Sequence, residues 1–221
     1  TYTYSSMADF MADNASQYTY GYFADGKRNP PMTTGQFAVY AQDEVSLRGG
    51  VLTYGVRVDM PVMFDKPGVN KTFNSSNYAE EYSVRTGDIP RTQILISPRV
   101  GFQSNWFNNF RVRASAGIYT GRVPFVWLAN CYQNNGMRSM SVTMFDPSQT
   151  PDFSVNPEEV GNKSNPSVDV VAKNFRYPQV FRTALGLDYY SHNGLHLSLD
   201  ADYTKGINNL FVENLVAAVR V

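Results

Sequence analysis

The chain has 221 residues and no formal net charge, because 19 basic residues balance 19 acidic ones. A neutral chain lacks the basic surface that neutralises phosphates, so its composition argues against nucleic acid as a partner. A single cysteine excludes an intramolecular disulfide framework and any site built from several thiolates. The sequence contains no apolar run long enough for a membrane helix, whereas a membrane β-strand needs only about 9–11 alternating residues.

The chain starts at Thr1, without an initiator methionine or a signal peptide. We therefore expect an interior section of a longer protein. Residues 1–34 are predicted to form a long loop, with residues 1–4 as the tail of an earlier strand. A short helix is predicted at Ser6–Met11, because Ser6 can cap it and Asp9 stands at its third position.

Six segments alternate apolar and polar residues, which is the pattern of strands with two different faces. The clearest is 51–63, where Tyr54 and Val56 point one way while Arg57 and Asp59 point the other way. Such alternation fits a soluble sandwich as well as a membrane barrel. The predicted strands are 36–45, 51–63, 98–106, 110–121, 179–190 and 195–204.

The connections between these strands differ greatly in length. Three are short turns, at 46–50, 107–109 and 191–194. The others, 64–96 and 122–178, are long and rich in Pro, Asn, Ser and Gly. Short turns at one end and long extracellular loops at the other are typical of outer-membrane barrels. The sequence thus predicts an all-β fold: a section of an antiparallel up-and-down transmembrane β-barrel, with strands within 35–121 and 179–204 and extracellular loops at 1–34, 64–96 and 122–178.

Within a barrel, the arginines decide which face meets lipid. An arginine at the lipid midplane costs about 2–4 kcal/mol, so Arg111 and Arg113 together would cost about 4–8 kcal/mol. Their face is therefore expected to line the lumen. The charged residues expected there are Arg57, Asp59, Arg99, Arg111, Arg113, Arg182, Asp188, Asp200 and Asp202.

Six strands do not close a barrel by themselves. Single-chain barrels start at about eight strands, and an open edge leaves backbone groups unsatisfied in hydrocarbon. Either several chains share one barrel or the chain is a section of a larger one. We favour the second arrangement.

Several segments resemble the barrel of TonB-dependent receptors, in particular the large receptors with an N-terminal carboxypeptidase-regulatory-like domain. No single segment is specific, and the resemblance rests on their order and spacing over most of the chain. Val45 departs from it, since relatives usually carry an aromatic residue there. The segments are Ser5–Phe10, Gln36–Glu44 (QFAVYAQDE), Tyr54–Pro67 (YGVRVDMPVMFDKP), Ser97–Phe102 (SPRVGF), Ala114–Tyr132 (ASAGIYTGRVPFVWLANCY), Phe175–Asp188 (FRYPQVFRTALGLD) and Tyr203–Phe211 (YTKGINNLF).

The resemblance implies a Gram-negative outer-membrane transporter whose barrel has about 22 strands and holds an N-terminal plug. It implies import of a large nutrient, driven by proton-motive force that the TonB–ExbB–ExbD complex relays to the N-terminal region. The partners implied are outer-membrane lipid and the rest of the barrel with its plug, which would lie outside these residues. The cargo and the presence of a surface lipoprotein stay open. The alternatives are a passive or structural barrel, such as a porin or adhesion scaffold, and a soluble β-rich binding domain.

Segment 122–135 (RVPFVWLANCYQNN) places aromatic residues beside amides, which can stack on and hydrogen-bond a ligand. The competing interpretation, which we favour, is that Pro124, Phe125, Trp127 and Leu128 fold the loop onto the inner wall. The ligand-binding candidates are Arg122, Phe125, Trp127, Asn130, Tyr132 and Asn134.

The sequence predicts no catalytic, cofactor or metal site. His192 and His196 are about 13 Å apart if the backbone is extended. The acidic loop residues Glu80–Glu81, Glu158–Glu159 and those in 146–152 lack the spacing of a calcium loop. No sequence pattern links Cys131 to a histidine, so the chain is predicted not to be an enzyme.

Overall fold

The computed structural model describes residues 1–27, 29, 32–107, 109–145, 162–163 and 165–215. The acidic stretch 146–152, the Glu158–Glu159 pair and turn residue 108 lie outside these ranges. The elements in chain order are β1 (Tyr2–Thr3), α1 (Met7–Met11), β2 (Gln17–Phe23), β3 (Thr34–Leu47), β4 (Gly50–Met63), α2 (Lys71–Asn74), α3 (Asn77–Glu81), β5 (Leu95–Phe107), β6 (Phe110–Thr120), α4 (Phe125–Gln133), β7 (Ser139–Met144), β8 (Asn162–Lys163), β9 (Gln179–Tyr190) and β10 (His196–Asn208).

The chain divides into two compact units. We call one the sheet unit, which comprises Thr33–Phe64, Pro90–Pro124 and Asn174–Val221. The other is the loop unit, which comprises Thr1–Met32, Asp65–Ile89 and Phe125–Lys173. Among the described helices, none combines the length and the apolar character that a membrane crossing requires.

The sheet unit is a six-stranded antiparallel meander in the order β10-β9-β6-β5-β4-β3. The hairpin between β3 and β4 is tight, because Leu47 pairs directly with Gly50. Its turn needs the left-handed backbone of Gly49, with φ of 82°. The all-β fold and the predicted strands are thereby confirmed, with their ends displaced by up to four residues.

Antiparallel pairing places all short turns at one end of the sheet. The turn from β9 to β10 closes with a hydrogen bond from Ser191 N to Leu195 O at 2.8 Å, and Gly194 has a φ of 84°. The long connections from β4 to β5 and from β6 to β9 leave from the opposite end. The sheet therefore has short turns at one end and long connections at the other, as the connection lengths predicted.

The strand register gives the sheet one apolar face. Val39 pairs with Val58, which pairs with Ile96 on the next strand. Across the other half, Ala114 pairs with Leu185, whose partner on β10 is Ala201. Much of this face is exposed: Val39 and Leu199 are each 69% exposed.

The opposite face carries the charges. Arg111 pairs in register with Asp188, and Gly186 lies between Arg113 and Asp200. The charged residues expected to line the lumen all share this face, at odd positions in β4, β5 and β6 and at even positions in β9 and β10.

The segments predicted as long loops contain regular structure of their own. Strands β1, β2, β7 and β8 form a second antiparallel sheet within the loop unit. Residues 1–4 do not end a strand of the large sheet, since Tyr2 pairs with Tyr18 of β2. The predicted helix is confirmed at Met7–Met11, where the Ser6 side chain accepts a hydrogen bond from Asp9 N at 3.1 Å.

The loop unit has a conventional apolar core. Val142 of β7 is 1% exposed and Leu128 of α4 is 5% exposed. Val84 and Ala172 form an isolated antiparallel bridge between distant loop segments. The bridge joins residues far apart in sequence, so no local sequence pattern predicts it.

Candidate functional site

The charged face of the sheet is held together by ion pairs. Arg57 Nε lies 2.9 Å from Asp59 Oδ2, and Gln36 Nε2 donates to Asp59 Oδ1 at 3.2 Å. Asp59 is only 3% exposed. A buried carboxylate is tolerable when it is paired and hydrogen-bonded in this way.

A second cluster surrounds Asp188, which is 5% exposed. Arg113 Nε lies 3.1 Å from Asp188 Oδ2, and Arg113 Nη2 lies 3.0 Å from Asp200 Oδ1. The Ser198 hydroxyl donates to Asp188 Oδ1 at 2.7 Å. A Cβ at Gly186 would stand 2.7 Å from Asp200 Oδ1, so glycine leaves the space that this cluster occupies.

The other predicted lumen residues have varied surroundings. The Arg99 guanidinium lies over the Tyr119 ring at 4.7 Å. Arg111 Nε is buried and makes no hydrogen bond within the described chain. Arg182 stands opposite Gly117, and Asp202 stands opposite Ala184.

The predicted ligand-binding residues do not form one surface. Phe125 and Trp127 are 55% and 44% exposed, whereas Tyr132 is buried. On a helix with about 3.6 residues per turn, Trp127 and Tyr132 lie about 140° apart around the axis, whereas Phe125 and Tyr132 are almost two turns apart along it. Arg122 belongs to the sheet unit and the other five residues belong to the loop unit.

The polar residues towards the C-terminal end of this segment make hydrogen bonds inside the loop unit. Tyr132 donates its hydroxyl to the Asp65 carbonyl at 2.6 Å, and burial raises its pKa to about 12. Asn134 Nδ2 donates to Asp169 Oδ2 at 2.8 Å. The Asn130 carbonyl accepts from Asn134 N at 2.7 Å.

The two histidines contact different partners. Asn109 Nδ2 lies 3.5 Å from His192 Nδ1. His196 stacks on Tyr190 with ring centroids 4.5 Å apart, and its Nε2 is 3.7 Å from Asp188 Oδ1. Within the described ranges, no three His, Cys, Asp or Glu residues gather into a group that could hold a metal ion.

The cysteine is buried in the loop unit. Burial raises the pKa of the Cys131 thiol to about 11, so it is protonated at neutral pH. A protonated thiol is a poor nucleophile and a poor metal ligand.

A cleft of about 430 Å³ in the loop unit was not anticipated from the sequence. Arg138 on its wall is 8% exposed, and its Nε donates to Asp25 Oδ2 at 2.7 Å. That hydrogen bond holds the pKa of Asp25 below its ordinary value. These residues lie more than a hundred positions apart, so only the tertiary fold reveals their pairing. The polar and larger residues lining the cleft are Asp25, Lys66, Tyr132, Asn135, Met137 and Arg138.

The chain was compared with protein-family models, with curated proteins and with solved structures, and none of the three comparisons found a match.

Proposed function

We propose that the sheet unit forms part of the wall of an outer-membrane β-barrel, and that the whole protein is a TonB-dependent transporter. The observation that carries the membrane assignment is the exposed apolar face of the sheet. Its members include Leu185 at 55%, Val100 at 45% and Val56 at 40% exposure. In water such a surface would be unfavourable, by roughly 25 cal/mol for each Å² of apolar area.

The polar face supports the same orientation. Arg57, Arg113 and their carboxylate partners would be costly in hydrocarbon and are compatible with a hydrated lumen. The alternation along each strand thus matches what a membrane barrel requires.

The edges of the sheet support a larger assembly. Within the described residues, β3 and β10 each pair with a strand on one side only. Unpaired strand edges are unfavourable in a bilayer because their backbone groups lack partners. We infer that further strands of the same protein continue the sheet beyond both edges.

Active transport, rather than passive passage, is inferred from the segments between Gln36 and Phe211, whose order and spacing resemble the barrel of TonB-dependent receptors. In a transporter of this kind, the paired charges would line the wall around the plug, and segments 1–34, 64–96 and 122–178 would be extracellular loops. TonB would act on the N-terminal region.

A genetic experiment separates active import from a passive barrel. The gene would be deleted in cells with working TonB and in cells without it, and growth would be compared on a panel of single carbon, iron and vitamin sources. We expect deletion to slow growth on at least one source only when TonB works. An equal growth defect in both backgrounds would show a passive or structural barrel instead.

A further inference from the structure

The cleft of the loop unit contains an unusual buried cation. Arg138 donates through Nε to Asp25 and through Nη2 to the Lys27 carbonyl. Its Nη1 is buried and has no hydrogen-bond partner within the described chain. A buried guanidinium N–H without an acceptor is costly, so an oxygen acceptor at this position would be stabilising.

A second donor on the wall of the cleft is Asn135, which is 4% exposed. Its Oδ1 accepts from the backbone N of Met137 and of Arg138, each at 3.0 Å. This pairing fixes the amide orientation, so Nδ2 points away from those backbone groups. Among the described residues, Nδ2 has no acceptor of its own.

Gly68 leaves room beside this second donor. A Cβ built on Gly68 would stand only 2.7 Å from Asn135 Nδ2 and 3.6 Å from Met137 Cε. Any larger residue would therefore occupy the space through which a ligand atom could reach the amide.

The charges of the lining favour a ligand with a single negative charge. Arg138 and Lys66 contribute two positive charges and Asp25 contributes one negative charge, which leaves one positive charge in excess. A carboxylate would balance that excess. A dianionic phosphate would exceed it and would lie close to Asp25.

We propose that this cleft binds a small organic monocarboxylate, whose oxygens accept hydrogen bonds from Arg138 Nη1 and Asn135 Nδ2, with Lys66 Nζ beside them. The volume of the cleft lies within the range of about 300–1,000 Å³ that is usual for ligand sites. It suits a ligand of one sugar or amino-acid residue. Because Nη1 is covered in this conformation, side chains of the cleft must move as the ligand enters. The proposal concerns the loop unit and does not depend on transport.

Titration calorimetry on the purified full chain tests the ligand class. The sugar-acid arm compares D-glucuronate with D-glucose, and the amino-acid arm compares N-acetyl-L-phenylalanine with its amide. We expect at least one carboxylate to bind about tenfold or more tightly than its neutral analogue, and the arm that shows this identifies the source of the carboxylate. Equal binding within both pairs, or tighter binding of glucose 6-phosphate than of either carboxylate, would overturn the proposal.

Variants test the location of the site. Gly68→Ala should weaken carboxylate binding about tenfold or more, whereas Gly21→Ala should not, because the nearest atom to a Cβ at Gly21 is 3.9 Å away. Lys66→Gln should weaken binding about twofold to fivefold, as expected for an exposed charge. Lys71→Gln, an exposed lysine of α2, is the matched control.

Asp25→Asn tests the direction in which charge changes the affinity for the carboxylate. Removing the competing carboxylate raises the excess positive charge, so binding of the carboxylate should become tighter. Circular dichroism establishes that each variant is folded. Arg138→Gln removes Nη1 and should weaken carboxylate binding about tenfold or more. If that variant fails to fold, Gly68→Ala and Asp25→Asn decide the question, and unchanged carboxylate binding in both would place the ligand elsewhere.

Discussion

The two units of this chain distribute apolar residues in opposite ways. In the sheet unit, Val39 and Leu199 are 69% exposed, while Asp59 and Asp188 are almost completely buried. In the loop unit, Val142 and Leu128 are buried as in an ordinary water-soluble domain. Under the proposed membrane location, the exposed apolar face of the sheet unit would meet lipid, whereas the loop unit buries its apolar residues internally.

The largest effect is expected from a charge placed in the apolar core of the loop unit. Val142→Asp buries a carboxylate without a partner, which should lower the free energy of unfolding of the loop unit by about 3–5 kcal/mol. Denaturant titration monitored by hydrogen exchange in β2 and β7 measures this loss. The matched control is Val69→Asp, because Val69 is 56% exposed and the change there should stay within about 0.5 kcal/mol. Similar losses at both sites would mean that the loop unit has no such core.

The next largest effect tests the sheet unit. Val56→Arg places a cation on the apolar face and should disfavour membrane insertion by about 2–4 kcal/mol if the site is near the lipid midplane. Thr53→Arg introduces the same residue on the polar face of the same strand, opposite Glu44, and should be tolerated. The folded fraction in liposomes, followed by heat-dependent gel mobility, measures both. Equal losses would contradict the assignment of the two faces.

A smaller effect is expected from a hydrogen bond that joins loop segments. Tyr132→Phe removes the donor to the Asp65 carbonyl and leaves that acceptor without the hydroxyl, at a cost of about 1–2 kcal/mol to the loop unit. Tyr78→Phe, at an exposed position in α3, is the control and should change little. The midpoint of thermal unfolding distinguishes the two, and equal midpoints would show that the Tyr132 hydrogen bond adds nothing.

The smallest expected effect is on the stability of the loop unit at low pH. Arg138 lowers the pKa of Asp25 in the folded chain, so the pairing stabilises the loop unit above the unfolded pKa of about 4. That contribution is lost as pH falls through the folded pKa. Thermal unfolding at about pH 5 and about pH 3 should show a smaller acid-induced loss in Asp25→Asn than in the parent chain. An identical loss would exclude this ion pair as a source of acid sensitivity.

The sheet could be predicted from the sequence because its determinants are local. Two-residue periodicity in 51–63 and 110–121 sets the faces of β4 and β6, and the short turns set the pairing of neighbours. The helix at Met7–Met11 was predictable for the same reason, since its capping residue is adjacent in sequence.

The loop sheet and the cleft could not be predicted in this way. The strands β2 and β7 pair across more than a hundred residues, and Arg138 contacts Asp25 over a similar separation. No periodicity links such positions. Tyr132 was predicted to bind a ligand, but its hydroxyl donates to the Asp65 carbonyl inside the loop unit. No sequence pattern links these two residues.

The central claim, that the apolar face of the sheet meets lipid, is tested most directly by spin labels at neighbouring residues of β9. Leu185 lies on the apolar face and Ala184 on the polar face. The buried Cys131, with its raised pKa, should give little background labelling. In bilayers, a nitroxide at Leu185 should collide preferentially with dissolved oxygen, and one at Ala184 with a water-soluble nickel chelate. Equal accessibility at both positions, or the reverse order, would contradict the account.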